Sequence, residues 1–506
     1  MVLTRQGMLR FWNSTKNFQF EFCGLSETLR RRLRTFPCKL RRAVALRNGE
    51  GEMNFSELQA NQSKRQSIAI VGTGISGLAC AWLLSRNHRV TVFEADARIG
   101  GHSHTVDAEF KDAKIAVDTG FIVYNEPCYP NLTKLFETLG VATAPADMSF
   151  AVSLEGGGYE YAGKDFAGLF AQPGNIFKPR FWSMIRDLLR FYREAIRDLP
   201  TMGEQTLDAY LTAHKYGAPF RDDHLYPMAA AIWSTPALDV GKQPAATFVR
   251  FCENHGLLRL TGRPQWRTVV GGSRAYVKRL TEPYADGIEA SRPIVSVLRD
   301  EDGVELVDAS GGRQRFDAVV IAAHADQALK MLAAPSDAER RLLGAFRYAR
   351  NEAVLHTDAS LMPRRRAAWA AWNYLSDGAG ADRRLSVTYW MNRLQPLGAA
   401  APPLFVTLNP LRQPKPESVV RSDVYEHPQF NSETMRAQQQ LWSLQGQNNT
   451  WFCGAWFGAG FHEDGLQSGL AVAEDLGGFP RPWTAKDADG RIHRLPLAKS
   501  RERAPA

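Results

Sequence analysis

The chain runs to 506 residues, more than one compact core accommodates, and at ~100–200 residues per domain two or three are expected. Its formal net charge of +9 is concentrated: residues 1–50 hold eleven Arg or Lys against three acids, a net +8, which leaves the rest nearly neutral. Nucleic acid is thereby excluded as an expected partner, and no run approaches the ~18 apolar residues that a membrane-spanning helix requires.

The basic leader, residues 1–64, lacks the continuous apolar stretch of a secretory signal. It is expected to be a disordered extension or an over-extended start with Met53 as the initiator; an Arg-rich organelle transit peptide is the alternative. Six cysteines (Cys23, Cys38, Cys80, Cys128, Cys252, Cys453) scatter without a CxxC pair. That pattern argues against zinc, a dithiol motif or disulfides, and for a reducing, cytoplasmic setting.

Ser67–Val71 is a short β-branched run that predicts a buried parallel strand. Residues 78–86 then predict a helix, and residues 89–94 a second strand ending at Glu94. Between the first strand and the helix stands Gly72-Thr73-Gly74-Ile75-Ser76-Gly77. Its first glycine permits the tight turn, the second lets backbone approach a pyrophosphate, and the third lets helix and strand pack closely. Ile75 and Ser76 belong to this loop, and the free N–H groups at the N-terminus of the helix that follows favour an anion. A carboxylate ~20 residues on, here Glu94, accepts ribose hydroxyls. These features in register specify a dinucleotide site.

Residues 131–262 read as helical, most clearly at 130–139 and 180–199. In the second segment Phe181, Ile185, Leu188, Tyr192, Ala195 and Leu199 recur at helical spacing, with Arg186, Arg190, Arg193 and Arg197 off that stripe. The stripe is expected to face the core; lying on a membrane is the alternative for such a helix. Strand character returns over 292–323, around a turn at Asp302-Gly303. Short alternating segments at 353–357, 369–374, 386–392 and 404–408 predict an antiparallel sheet rich in aromatics (Trp369, Trp372, Tyr374, Tyr389, Trp390). Trp451-Phe452-Cys453 is the last strand, followed by a Gly-rich loop, a final helix and an irregular tail over 481–506.

Beyond Glu94 and Ala95 comes Arg98-Ile99-Gly100-Gly101-His102, and here the chain resembles the FAD-dependent amine oxidase superfamily, which includes protoporphyrinogen oxidase and phytoene desaturase. The resemblance continues in Asp118-Thr119-Gly120, Val269-Val270-Gly271-Gly272-Ser273, Val295, and Asp317–Ala322. It ends in Cys453-Gly454-Ala455 and Asp464-Gly465-Leu466-Gln467-Ser468-Gly469. It implies an α/β fold: a Rossmann-like FAD-binding domain assembled from non-contiguous segments (65–130, 263–330 and 446–480). A helical substrate domain (131–262) and one with an antiparallel sheet (331–445) complete it. FAD is the implied cofactor, with Gly72, Gly74, Ile75, Ser76, Gly77, Glu94, Ala95, Arg98, Gly100, Gly101, His102, Val295, Gly454, Asp464, Gly465 and Leu466 implied as its contacts. Two departures stand out. Ala455 replaces the family's ribityl-binding acid, for which Glu463 or Asp464 is a candidate substitute, and His102 replaces a common arginine.

The ending Gly460-Phe461-His462-Glu463-Asp464-Gly465 is similar to that of a narrower bacterial group of predicted NAD/FAD-binding oxidoreductases, which accompany cyclopropane-fatty-acid-synthase-like enzymes. That likeness implies a lipid acyl substrate, a functional link to such an enzyme, and peripheral contact with the inner membrane. Flavin chemistry asks the protein mainly for orientation, electrostatics and water exclusion. The helix opening near Asp464 is expected to direct its positive end at the flavin. His462, Glu463 and Asp464 are the candidate acid/base residues, with loop stabilisation and helix capping as the alternative. His102 and His104 have the spacing of a metal pair but lack further ligands, so no metal is expected. The leading reading is hydride removal from an apolar, lipid-like substrate. The rivals are a flavin amine oxidase and a FAD-binding structural partner of a lipid-modifying methyltransferase.

Overall fold

A computed structural model describes residues 65–110, 113–233, 240–378 and 384–496, together with a short antiparallel pairing of Leu3–Thr4 with Gly7–Met8. The expectations for residues 9–64 and for the last ten residues of the tail lie outside the described residues. The chain divides into two units, 1–64 and 65–506, and the site belongs to the second.

Five parallel strands form the first sheet: β1 (Ser67–Val71), β2 (Arg89–Phe93), β3 (Ile288–Glu289), β4 (Ala318–Ile321) and β5 (Thr450–Phe452). Their spatial order is β3-β2-β1-β4-β5, so the sheet gathers segments nearly 400 residues apart. The apolar runs of β1 and β4 are almost wholly buried, as a parallel sheet covered on both faces requires. Helix α1 (Ile75–Leu84) begins directly after Gly74, three residues earlier than predicted, and all ten of its residues are buried.

The second layer is a seven-stranded sheet. Its order is Tyr159–Ala162, Phe150–Leu154, Trp372–Asp377, Arg384–Trp390, Phe405–Leu408, Arg347–His356 and Val419–Gln429. The predicted antiparallel segments fall within it, but the sheet is mixed, because Phe150–Leu154 runs parallel to Trp372–Asp377. Two of its strands come from the stretch expected to be helical. The long strand Val419–Gln429 was not predicted either; Pro428 argues against a central strand, and the strand does lie at the sheet's edge.

Helix α2 (Pro179–Asp198) buries Phe181, Met184, Asp187, Phe191 and Ala195. The expected stripe is thus rotated: Ile185, Leu188 and Tyr192 are only partly buried, pack against the core and also line a cavity. Helix α3 (Ala245–Asn254) packs beside it, and helix α4 (His462–Asp475) crosses α1. That crossing is close because Gly465 and Gly469 meet Ser76; a Cβ on Gly469 would stand 2.2 Å from the Ser76 carbonyl oxygen.

The tail through residue 496 has no regular structure, yet it is held firmly. Trp483 stacks on Trp82 with ring centroids 5.9 Å apart. Arg481 pairs with Glu474 and Asp489, Arg494 with Glu474, Asp475 and Asp489, and Arg491 with Asp464. Among the described residues no helix is long and apolar enough to cross a membrane.

Candidate functional site

One cavity of about 1250 Å³ runs from the carboxyl ends of β1, β2 and β4 into the space between the seven-stranded sheet, α2 and α3. At the sheet end its wall is mostly backbone. Gly72 has φ +108°, and a Cβ there would lie 2.8 Å from the Ala322 carbonyl oxygen. Gly77 could not carry one at all, since it would stand 2.1 Å from the Gly72 oxygen. Gly74 is different: a Cβ would meet nothing within 4 Å, so its backbone is bare toward the cavity. A Cβ on Gly101 (φ +55°) would stand 3.0 Å from the Gly74 Cα, and Gly101 also lines the cavity. The two glycine segments therefore form one cradle, and the N-terminus of α1 opens into it.

Three side chains shape that cradle by gripping backbone. The Glu94 carboxylate accepts from the Thr73 N–H at 3.0 Å, from the Thr73 hydroxyl, and from the Asp96 N–H at 3.0 Å, and it still lines the cavity. The Thr73 hydroxyl in turn accepts from Gly100 N–H at 3.1 Å. Arg98 donates to the carbonyls of Gly101, Ile99 and Ser103, so it braces the second glycine loop and does not line the cavity.

Further along, Ala95, Ile75, Ser76, His102, Val295 and Gly454 all face the cavity. Val295 sits at a β-bulge where the register shifts between Ile294 and Ser296, which leaves it outside the strand ladder. His102 is half-buried, and its buried Nε2 has no hydrogen-bond partner among the described residues. A buried unpaired ring nitrogen is costly unless a bound group completes it. Burial, with the neighbouring His427, holds that imidazole neutral, far below its ordinary pKa. The bare Gly74 backbone, Glu94, the bulged Val295 and the orphaned His102 together suit a long dinucleotide such as FAD.

The C-terminal loop divides the three candidate acid/base residues. Only His462 lines the cavity. Its ring stacks on Phe121 at 3.8 Å, nearly parallel at 8°, and its Nε2 lies 2.7 Å from the Tyr276 hydroxyl and 3.1 Å from that of Ser103. Burial pushes its pKa down to about 3, so it is neutral at working pH. Glu463 faces away: its carboxylate accepts from the backbone N–H groups of Asn131 and Leu132, the Asn131 side chain and Gln467, capping the helix Pro130–Leu139. Asp464 accepts from the Phe461 N–H at 2.7 Å and pairs with Arg491. Burial raises the pKa of both carboxyls.

Neither Glu463 nor Asp464 substitutes for the acid missing at Ala455. The acids lining the cavity are Glu94, Asp96, Asp165 and Glu426. Gly465 and Leu466 are likewise packing residues, Gly465 against Ser76 and Leu466 fully buried. What faces the cavity from this region is Ala455, Trp456 and Ala459–His462, at the positive end of α4.

The far half of the cavity is walled by side chains. Ile122, Met148, Phe150, Trp372, Tyr389 and Phe461 lie nearest the His462 loop; Ile185, Leu188, Tyr192, Met228, Ile232 and Leu257 continue it outward. Trp372 and Tyr389 pack edge to face at 5.0 Å, and Trp372 Nε1 is buried without a partner. Of the aromatic run at 369–390, Trp372 and Tyr389 line the cavity while Trp369 and Tyr374 are core. Sequence reasoning missed Tyr425, Glu426 and His427, which reach the cavity from the unpredicted edge strand. Tyr425 packs its ring 5.1 Å from His102 and hydrogen-bonds His104, so both histidines meet this one side chain.

Asp118 ties the halves together. Its buried carboxylate accepts from the Thr105 hydroxyl, from Ser273 N–H and hydroxyl, and from Gln395, and burial raises its pKa to about 6.

Known proteins resemble this chain in sequence and in fold. The family model for flavin containing amine oxidoreductase matches residues 75–358. An L-amino acid dehydrogenase of Synechocystis sp. is 22% identical over 291 residues, which is 55% of this chain and 60% of that protein. Two further curated relatives are matched over 11% and 8% of their length, so the chain spans less than two thirds of each of the three. Among solved structures, a redesigned putrescine oxidase gives a TM-score of 0.59 at 16% identity, over 81% of this chain and 98% of that one. A fatty acid isomerase from P. acnes gives 0.58 at 15%, over 82% and 98%. At such identities the structural likeness is one of fold. With more than half of its residues matched by the family model, the chain belongs to the flavin containing amine oxidoreductases and is a FAD-dependent oxidoreductase.

Proposed function

We propose that the protein oxidises an elongated apolar substrate, of the class of a lipid acyl chain, by removing a hydride from it. The observation that carries this reading is the far half of the cavity, a long wall of Ile, Leu, Met, Phe, Tyr and Trp side chains. Among the described residues its one carboxylate, that of Asp165, caps the short helix Phe166–Leu169 by accepting from Gly168 N–H. An ammonium group would find no buried counter-ion there, and burying a charge unpaired is expensive. A fatty acid isomerase of the same fold supports the choice of substrate class.

Bound in the cradle, FAD would supply the hydride acceptor. The chain's residues orient and insulate the reaction. Phe121, Tyr276 and Ser103 fix the His462 ring, and the α4 N-terminus offers a partial positive charge to a developing anion. Phe251 and Phe461, stacked at 4.9 Å, shield the passage from water. Trp372 Nε1 is free to donate to a polar atom of the substrate.

A second reading, oxidation of an amine, is favoured by the perpendicular Trp372–Tyr389 pair, which could flank a neutral amine. Anaerobic titration of the purified holoprotein decides between them. Detergent-dispersed phospholipid or fatty acid should bleach the visible flavin band, whereas diamines and amino acids should leave it. Bleaching by amines alone would overturn the proposal.

A further inference from the structure

We infer that the mouth of the cavity is a docking face for a bilayer containing anionic lipid, from which the apolar substrate passes directly into the protein. This rests on the apolar-substrate reading above. Four cavity-lining residues are also exposed large hydrophobics; Val295 lies at the nucleotide end, and the other three mark the opening: Phe166 (81% exposed), Leu189 and Leu260 (63%). Beside them stand Phe177 (87%), Ile176 and Trp182, which are exposed among the described residues and do not line the cavity. Trp182 is fixed by its Nε1–H, which donates to the Ile176 carbonyl at 2.8 Å, and Phe170 bridges the Phe166 and Trp182 rings. So large a set of exposed apolar side chains around one opening calls for a partner.

The charge around the opening identifies the partner. Residues 163–198 and 255–267, the two segments that frame it, hold ten Lys or Arg against four acids, a net +6 on a body whose total from residue 51 onward is only +1. The outward stripe of α2 reads Trp182, Arg186, Leu189, Arg193, Arg197, alternating apolar and basic at helical spacing, and every one of these side chains is exposed. Arg263 and Lys164 line the cavity itself at the exposed end. Apolar side chains interleaved with arginines suit the boundary between acyl chains and negative headgroups. An aqueous route would instead require a lipid chain to cross water into a hole ringed by phenylalanine and leucine.

The test uses the full chain as the holoprotein and sedimentation with vesicles of phosphatidylcholine, with and without phosphatidylglycerol. The protein should pellet with the anionic vesicles, and added salt should weaken the binding. Phe177→Asp with Trp182→Asp should reduce that binding by at least about tenfold, because two inserted apolar groups become charged, while the visible flavin spectrum stays that of wild type. Arg186→Glu with Arg193→Glu should abolish the preference for the anionic vesicles. Failure to pellet with either vesicle, equal binding to both, or wild-type binding by the Phe177/Trp182 variant would overturn the inference. Vesicle binding involves no turnover, so it reads separately from the substrate proposal. Docking without bleaching by lipid sinks only the substrate, and bleaching without docking sinks only the face.

Discussion

At its nucleotide end the cavity is walled by backbone, and at its far end by side chains. Gly72, Gly74, Gly101 and Gly454 present bare peptide groups, and the side chains nearby (Thr73, Glu94, Arg98) act chiefly by holding that backbone in place. The far end is lined by Ile185, Leu188, Tyr192, Met228 and Ile232. A backbone wall has no atoms to give up, so any added Cβ displaces the chain itself. A side-chain wall can be recut without moving the fold. The cofactor end is therefore fixed, and the substrate end is where specificity can vary.

The sharpest test of that contrast is Gly77→Ala. The new methyl would fall 2.1 Å from the Gly72 carbonyl oxygen, and only backbone movement relieves it. Overpacking of this kind costs at the upper end of ~1–3 kcal/mol or beyond, and it opens the cradle directly. The variant should purify without yellow colour, and flavin absorbance per chain is the measurement. A fully flavinated Gly77→Ala protein would break the comparison at its first step.

Legibility in the sequence follows the same division. Gly72, Gly74, Gly77 and Glu94 could be read in advance because backbone conformation and close approach demand glycine, at intervals set by one strand and one helix. Arg98 and Gly100-Gly101 were legible through the resemblance, although Arg98 turned out to brace the loop. The Glu463 and Asp464 assignments did not survive, because their roles depend on Asn131 and Arg491, hundreds and tens of residues away. Periodicity located α2 but misplaced its buried face by about one residue, since a helix with one side on a core and another on a cavity carries apolar residues over most of its circumference. Tyr425 and His427 were invisible for a different reason. Their strand is an edge strand with charged neighbours and a proline, which removes the usual strand signature.

The tail gives the next largest effect. Arg491→Met should leave Asp464 as a buried carboxyl without its cation, and breaking such a pair costs roughly 3–5 kcal/mol. Adding Asp464→Asn removes the stranded charge while keeping an acceptor for the Phe461 N–H, so the double variant should recover much of the loss. Chemical denaturation of the four proteins gives the coupling. Strict additivity would mean that the tail does not position the His462 loop through this contact.

Titration separates the two ends as well. Burial lowers the pKa of His462 and His255 to about 3, and of His224, His427 and His356 to about 4. Between pH ~6.5 and ~4 the unfolded chain binds protons that the folded chain refuses, so stability is full above the unfolded histidine value and is lost as pH falls. Asp118 works oppositely: its raised value of about 6 favours the folded state as pH falls through that value. Burial raises Glu463 and Asp464 in the same sense as Asp118, so five histidines stand against three carboxyls, and stability should fall from pH 7 to 4.5. Melting temperature against pH reads this. A flat profile over that window would show that these imidazoles gain protons without unfolding.

The smallest effect is also the most discriminating. Leu188 lines the far half of the cavity on α2 and makes no contact with the glycine cradle. Leu188→Trp should shorten the apolar channel while leaving flavin content and the visible spectrum unchanged. Pocket changes of this size alter discrimination by ~1–3 kcal/mol, so kcat/KM for a long acyl chain should fall roughly tenfold or more against a short one. The effect should appear mainly in KM, because the side chain meets the substrate far from the reacting atoms and binds ground state and transition state alike. Equal losses for long and short chains would mean that the substrate does not extend past Leu188. Loss of flavin would mean that the two ends are coupled through α2, and that the side-chain wall is no freer to change than the backbone one.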